Sequence, residues 1–209
     1  MFSRLNPKEW LPALMRLPRS LAGDRRGVAA IEFAFIAPVL LSLYFVTMEV
    51  AQGIEANKKV GRIGSMVADL VTQQLNVDTD ALDAIMEIGG AILQPYNRTK
   101  PTITITAIKI TGNAGALKGV VQWSREMKGD TFGAGPEIAP AETPVPEKLL
   151  IPNTFLVRVS AELDYRPVIA WTAQQKASLG LAAAFDNIRM SETYYLRPRM
   201  SAEIGCDDC

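Results

Sequence analysis

Two places in this chain hold residue types whose spacing could do chemistry. The first is Gly27, followed directly by Val28 and, five residues past the glycine, by Glu32. Glu32 is the single charge between Gly27 and Met48, in a run that is otherwise apolar or uncharged. A carboxylate in low-dielectric surroundings needs a partner. Cutting the Gly27–Val28 bond would create one, because Val28 would then carry an ammonium about one helical turn from Glu32. The acid could pair with its own terminus or with that of a neighbouring subunit. A plainer account is that an acid near a helix start is favoured by the helix dipole and keeps contact with interfacial water. The second place is Cys206-Asp207-Asp208-Cys209, which has redox-motif spacing. Two aspartates oppose thiolate formation, so a structural Cys206–Cys209 disulfide in an oxidising compartment is the favoured reading. A disulfide to another chain and metal capture by the two thiols and two carboxylates are the alternatives.

Other chemistry is poorly supplied. The chain has no histidine, which removes the commonest general base, the usual nucleophile pairs and the commonest metal ligand. The scattered carboxylates show no spacing that singles out an acid–base pair. No enzyme, cofactor or resident metal is therefore expected. The 22 acidic and 22 basic residues balance, so charge gives no argument for nucleic acid as a partner.

The elements that position Glu32 come next. Residues 28–50 would form a helix of roughly 34 Å at 1.5 Å per residue, longer than the ~20 residues a hydrocarbon core needs. Ile31, Phe33, Phe35, Ile36, Val39, Leu40, Leu41, Leu43, Phe45 and Val46 make it apolar on all sides, the mark of a membrane span in a protein this small. Pro38 lies in mid-span and predicts a kink. Residues 1–27 form a basic leader, with Arg4, Lys8, Arg16, Arg19, Arg25 and Arg26 against Glu9 and Asp24. Positive flanking charge places this end in the cytoplasm and residues 51–209 outside. A cleaved secretory signal is the rival, but Thr47-Met48-Glu49-Val50-Ala51-Gln52 is a poor cleavage site.

The string from Arg25 to Leu41, with Arg26-Gly27, Glu32-Phe33 and Pro38 ahead of an aliphatic run, resembles the TadE-like family. Those proteins are pseudopilins of the Flp, or tight-adherence, pilus system. The Arg26-Gly27…Glu32-Phe33 spacing also looks like the processing site of type IV prepilins, cut after the glycine. The resemblance covers residues 25–50 and implies a bacterial inner-membrane protein with a periplasmic domain, taking part in assembly of an adhesive pilus. It implies a prepilin peptidase acting at Gly27–Val28, and an assembly role for Glu32 and Phe33. The implied partners are other pilins and pseudopilins, the inner-membrane assembly platform and the bilayer. The alternative is an uncut single-pass anchor whose outer domain binds a partner or ligand. Asn97-Arg98-Thr99 matches a glycosylation sequon, which a bacterial context makes irrelevant.

The remainder predicts an α+β domain of pilin-like plan. Val50, Ile54, Val60, Ile63, Val67, Leu70 and Val71 carry the membrane helix on as an amphipathic stem, with Gly53, Gly61 and Gly64 allowing close packing. A second helix should start at Asp78–Asp80 and stop before Pro95. Residues 102–110 alternate threonine and isoleucine, with a phase slip at Ala107-Ile108 that suggests a β-bulge. Further strands are expected at 120–126, 154–165 and 188–196, giving an antiparallel sheet of about four strands. Residues 127–153 read as a Gly/Pro-rich surface loop, and residues 168–185 as an Ala-rich helix.

Overall fold

A computed structural model describes residues 27–113, 116–167 and 188–209. Residues 1–26 of the basic leader and the Ala-rich stretch lie outside these residues. The chain divides into two compact units, at Met48/Glu49, and this boundary falls inside helix α1 (Val28–Thr72).

In the first unit the described part of α1 is exposed almost throughout, including Phe33, Phe35, Val39, Leu40, Leu41 and Leu43. The helix continues through Pro38, and the Ser42 hydroxyl donates to the Pro38 carbonyl at 2.5 Å. Its most apolar 18-residue stretch has a mean hydropathy of 2.1 and none of it is buried. That is long and apolar enough to cross a membrane.

In the second unit the same helix becomes one-sided. Ala56, Val60, Ile63, Val67 and Val71 are buried at three- and four-residue steps, which is the spacing of one helix face. Helix α2 (Thr79–Ala91) starts where the sequence predicts. Asp78 is its N-cap and accepts a hydrogen bond from the Ala81 amide, satisfying one of the orphan donors of the first turn. Leu82, Ile85, Met86 and Gly89 are its buried face.

Both helices contribute to one core with an antiparallel sheet. Its strands are β2 (Thr102–Thr111), β3 (Lys118–Lys128), β4 (Thr131–Ala134), β5 (Glu142–Thr143), β6 (Phe155–Tyr165) and β7 (Ile188–Leu196). The order is β4-β3-β2-β6-β7, with β5 also paired to β3. The four strands read from the sequence are all present, but the sheet has six strands rather than about four. The two extra ones, β4 and β5, come from the Gly/Pro-rich stretch 127–153. They are short and lie along β3, so no period of two was long enough to show in the sequence. Gly129, at φ +67, makes the tight turn from β3 into β4, a conformation that glycine adopts without strain.

The slip at Ala107-Ile108 has a definite structural meaning. Ala107 pairs with Trp123 and Ile108 with Val121, so the extra residue is Gln122 on β3. Strand β2 itself alternates without interruption. Ile103, Ile105 and Ala107 face the helices, whereas Ile108 and Ile110 face away and join Leu156 in a second small cluster. Leu117, Val145, Leu149, Leu150 and Tyr195 cover that cluster. The isoleucines change face because the far side of the sheet is also covered at that end.

Close approach depends on two glycines. A Cβ on Gly64 would lie 2.7 Å from the Tyr194 ring, and one on Gly89 would lie 2.8 Å from Val67 and 3.2 Å from Ile63 and Ile103. Gly89 thus lets α2 touch α1 and β2 together. Gly89→Leu should lower the unfolding free energy of the full-length protein by about 1–3 kcal/mol through overpacking, measured as a shifted denaturation midpoint in near-ultraviolet circular dichroism. An unchanged midpoint would show that α2 does not seat on α1 at this glycine.

Candidate functional site

The first candidate site is the N-terminal end of α1. Gly27 immediately precedes the helix, Val28 is its first residue and Glu32 its fifth. No acid stands in the first turn. The dipole effect falls off within that turn, so position 32 gains little from it. Glu32 and Phe33 are exposed on an apolar helix, and Glu32 has no hydrogen-bond or ion-pair partner among the described residues. Val28 and Glu32 are four apart, so they lie on one helix face. Helical side chains lean toward the N-terminus, which aims the Glu32 carboxylate at the Val28 end. An ammonium at Val28 would therefore meet a carboxylate that has no other ion-pair partner among the described residues. Neighbouring Phe33 presents a large apolar ring to the surroundings.

The second is the C-terminal end. A disulfide joins Cys206 and Cys209. Cys206 also belongs to β8 (Gly205–Cys206), which pairs in parallel with β1 (Asn76–Val77). The tail is tied down repeatedly. The Asp207 amide donates to the Val77 carbonyl at 3.1 Å. Asp208 accepts from the Thr79 hydroxyl at 2.7 Å and from the Thr79 amide at 2.8 Å, and these bonds hold its carboxyl below the usual range. The Trp123 indole donates to the Ile204 carbonyl at 2.9 Å. Cys206, Asp208 and Cys209 bring their donor atoms within 4.8 Å of one another, but the disulfide leaves no thiolate to bind a metal. The site closes the fold around the start of α2.

The sequence did not reveal a third group of interactions, at the start of the second unit. The Tyr165 hydroxyl, at the end of β6, donates to Glu49 on α1 at 2.8 Å. Tyr165 is buried and packs 3.9 Å from where a Cβ of Gly53 would sit. Ten residues past Glu49 on α1, the Lys59 ammonium donates to the Ile92 carbonyl at 3.1 Å and to the Gln94 carbonyl. It also stands 5.7 Å from the centre of the Tyr96 ring, within cation–π range. The available signal was Glu49 itself, a charge at the end of an apolar run.

On the far side of the sheet, Arg158 donates to Glu137 at 2.6 Å and to the Thr143 hydroxyl at 2.9 Å. These bonds hold part of the 127–153 stretch against β6. They fasten that segment and give it no open reactive group.

Comparison with known proteins gives one match. Residues 27–61 fit the family model of the TadE-like proteins. No curated protein and no solved structure matches. The matched stretch holds Gly27, Val28, Glu32, Phe33 and Pro38, and agrees with the resemblance read from residues 25–50. This stretch is therefore similar to the TadE-like proteins. With the exposed apolar helix, it points to membrane anchoring.

Burial, and then the hydrogen bond to Glu49, push the Tyr165 phenol up to about 12. An unfolded phenol titrates near 10. The folded state therefore holds this proton more tightly, and the contribution to stability is complete below about pH 10 and lost as pH rises from about 10 to 12. An ultraviolet titration should show a phenol near pH 12 that disappears in Tyr165→Phe. Loss of a phenol that titrates near pH 10, with the high-pH end of the curve unchanged, would overturn the Tyr165–Glu49 contact.

Proposed function

We propose that this protein is a membrane-anchored minor pseudopilin that takes part in assembly of a Flp, or tight-adherence, pilus. The observation that carries the reading is Glu32: an exposed carboxylate, past the dipole's reach, on an otherwise apolar helix within the stretch that matches the TadE-like model. In this reading a prepilin peptidase cuts the Gly27–Val28 bond. The new Val28 ammonium and the Glu32 carboxylate then form a charge pair, within one chain before assembly and between neighbouring subunits after it. Phe33 adds apolar contact beside that pair.

The proposed arrangement places residues 1–27 in the cytoplasm, residues 28–50 in the inner membrane and the α+β domain in the periplasm. The basic leader supports this orientation, and the Cys206–Cys209 disulfide suits an oxidising compartment. The partners are other pilins and pseudopilins, the assembly platform and the peptidase. An uncut anchor binding a partner through its outer domain is the competing outcome.

Intact mass and terminal sequencing of protein from its own cell membranes should give Val28 as the first residue; a start at Met1 would overturn the processing step. Gly27→Leu should leave the chain full length, and normal cutting of that variant would remove Gly27 from the site. Glu32→Gln should insert normally and lower piliation by about tenfold or more, since 1.4 kcal/mol corresponds to tenfold and a buried charge left unpaired costs several times that. Piliation at the wild-type level would exclude the charge-pair role.

A further inference from the structure

A cavity of about 300 Å³ opens within the second unit, lined by Gln52, Pro95, Tyr96, Arg98, Tyr165 and Arg166. Its size is at the low end of small-molecule sites, which run from roughly 300 to 1,000 Å³. Three elements meet there: α1 at Gln52, the segment after α2 at Pro95–Arg98, and the end of β6 at Tyr165 and Arg166. Among the described residues, the lining includes two guanidinium groups and no carboxylate. Neither Arg98 nor Arg166 forms an ion pair with a described residue, although Arg125, Arg158, Arg189 and Arg199 each do.

The walls are held in place independently of any ligand. The Thr99 hydroxyl donates to the Asp164 carbonyl at 2.6 Å, tying the segment that carries Arg98 to the end of β6, which Arg166 directly follows. Lys59 fixes the carbonyls of Ile92 and Gln94 to α1. Tyr165 is fixed by Glu49. The Glu49 carboxylate keeps its charge beside Tyr165, and the two guanidinium groups outnumber it.

The position along α1 narrows the ligand class. Gln52 lies two residues past residue 50, about 3 Å along the axis. On the membrane-anchored reading, this falls within the headgroup layer, which extends roughly 5–8 Å beyond the hydrocarbon on each side. Tyrosine and arginine are interfacial residues. The guanidinium fork matches phosphate oxygens in pairs. Two such groups favour a headgroup with net negative charge and repel the ammonium of a zwitterionic one.

We propose that this cavity binds the headgroup phosphate of an anionic phospholipid from the membrane that α1 enters. The bound lipid fixes the domain's attitude at the membrane surface through Arg98 and Arg166. The proposal rests on membrane anchoring but not on cleavage at Gly27.

The test uses the detergent-solubilised full-length chain and its Arg98→Gln/Arg166→Gln double variant. Each is given phosphatidylglycerol or phosphatidylcholine, and retained lipid is counted by native mass spectrometry. Circular dichroism confirms equal folding, and flotation with vesicles reports membrane insertion separately. The wild type should retain phosphatidylglycerol over phosphatidylcholine, and the double variant should lose about tenfold or more of that retention. Equal retention by both proteins, with normal flotation, would overturn the cavity assignment and leave anchoring intact. Failure to float would overturn both. Inorganic phosphate, added as a competitor, should not displace the lipid; arginine-dependent binding of phosphate without any arginine-dependent lipid retention would overturn the lipid assignment in favour of a soluble anion.

Discussion

The structure depends on one helix having to satisfy two different surroundings along its length. Up to about residue 50, α1 is apolar on every side and buries nothing. From Ala56 onward it buries one face and leaves the other wet. No backbone break separates the two regimes; only the side-chain pattern changes. The sheet domain must therefore be built on the buried face of the second half, and each of its main features answers that demand. Strand β6 lays Phe155, Val157, Val159, Ala161, Leu163 and Tyr165 into the same core as Val60, Ile63 and Val67. Gly64 and Gly89 remove the atoms that would hold the layers apart. The change of regime is marked by Glu49, whose hydrogen bond from Tyr165 ties the end of β6 to the helix where one-sided burial is about to begin.

The sheet meets a related constraint on its other face. A sheet packed by helices on one side can leave the other side wet, and Arg158, Ser160 and Glu162 follow that rule along β6. Toward the other end, Leu156, Ile108 and Ile110 do not. There the stretch around Val145–Leu150 returns over the sheet and supplies a small apolar cover. Arg158 holds the same return segment through Glu137 and Thr143. The Gly/Pro-rich stretch is thus both edge and lid: β4 and β5 pair along β3, which would otherwise present free amides and carbonyls to association.

Much of this plan could be read from residue order because it depends on periodicity. The helix face of α1, the N-cap at Asp78, and the four long strands each repeat often enough to be seen locally. The number of strands could not be read, since β4 and β5 follow from pairing with β3 and not from their own pattern. The bulge was legible as a slip at Ala107-Ile108, but its location on β3 at Gln122 needed the register. At the N-terminal end of α1, Gly27, Val28, Glu32 and Phe33 were legible because their chemistry lies in their spacing. The cavity was not, because Gln52, Arg98, Tyr165 and Arg166 converge from three elements far apart in the chain. The sequence showed Arg98 only as the middle of a common tripeptide.

The two charged features sit under different rules, and that difference bears on how the proposed function could operate. Arg98 and Arg166 line an aqueous, partly open cavity, where an unpaired charge remains solvated and costs little. Glu32 lies on an apolar helix, where an unpaired charge is expensive. On the proposed reading, the leader's basic residues and interfacial water can serve Glu32 before cleavage. Removing the leader takes away Arg25 and Arg26 and leaves the Val28 ammonium in their place. Because Glu32 leans toward Val28 along the same helix face, the pair can close within one chain, so the cut protein need not carry an uncompensated charge while it waits in the membrane. Exchange of that pair for the equivalent pair with a neighbour conserves the number of ion contacts. The charge then sets which axial offsets between helices are allowed, while the exposed Phe33, Phe35 and Leu40 supply the packing that holds them together. A single acid is sufficient for this role only because the surrounding helix offers no competing charged group, which is the property that the run from Val28 to Val46 displays.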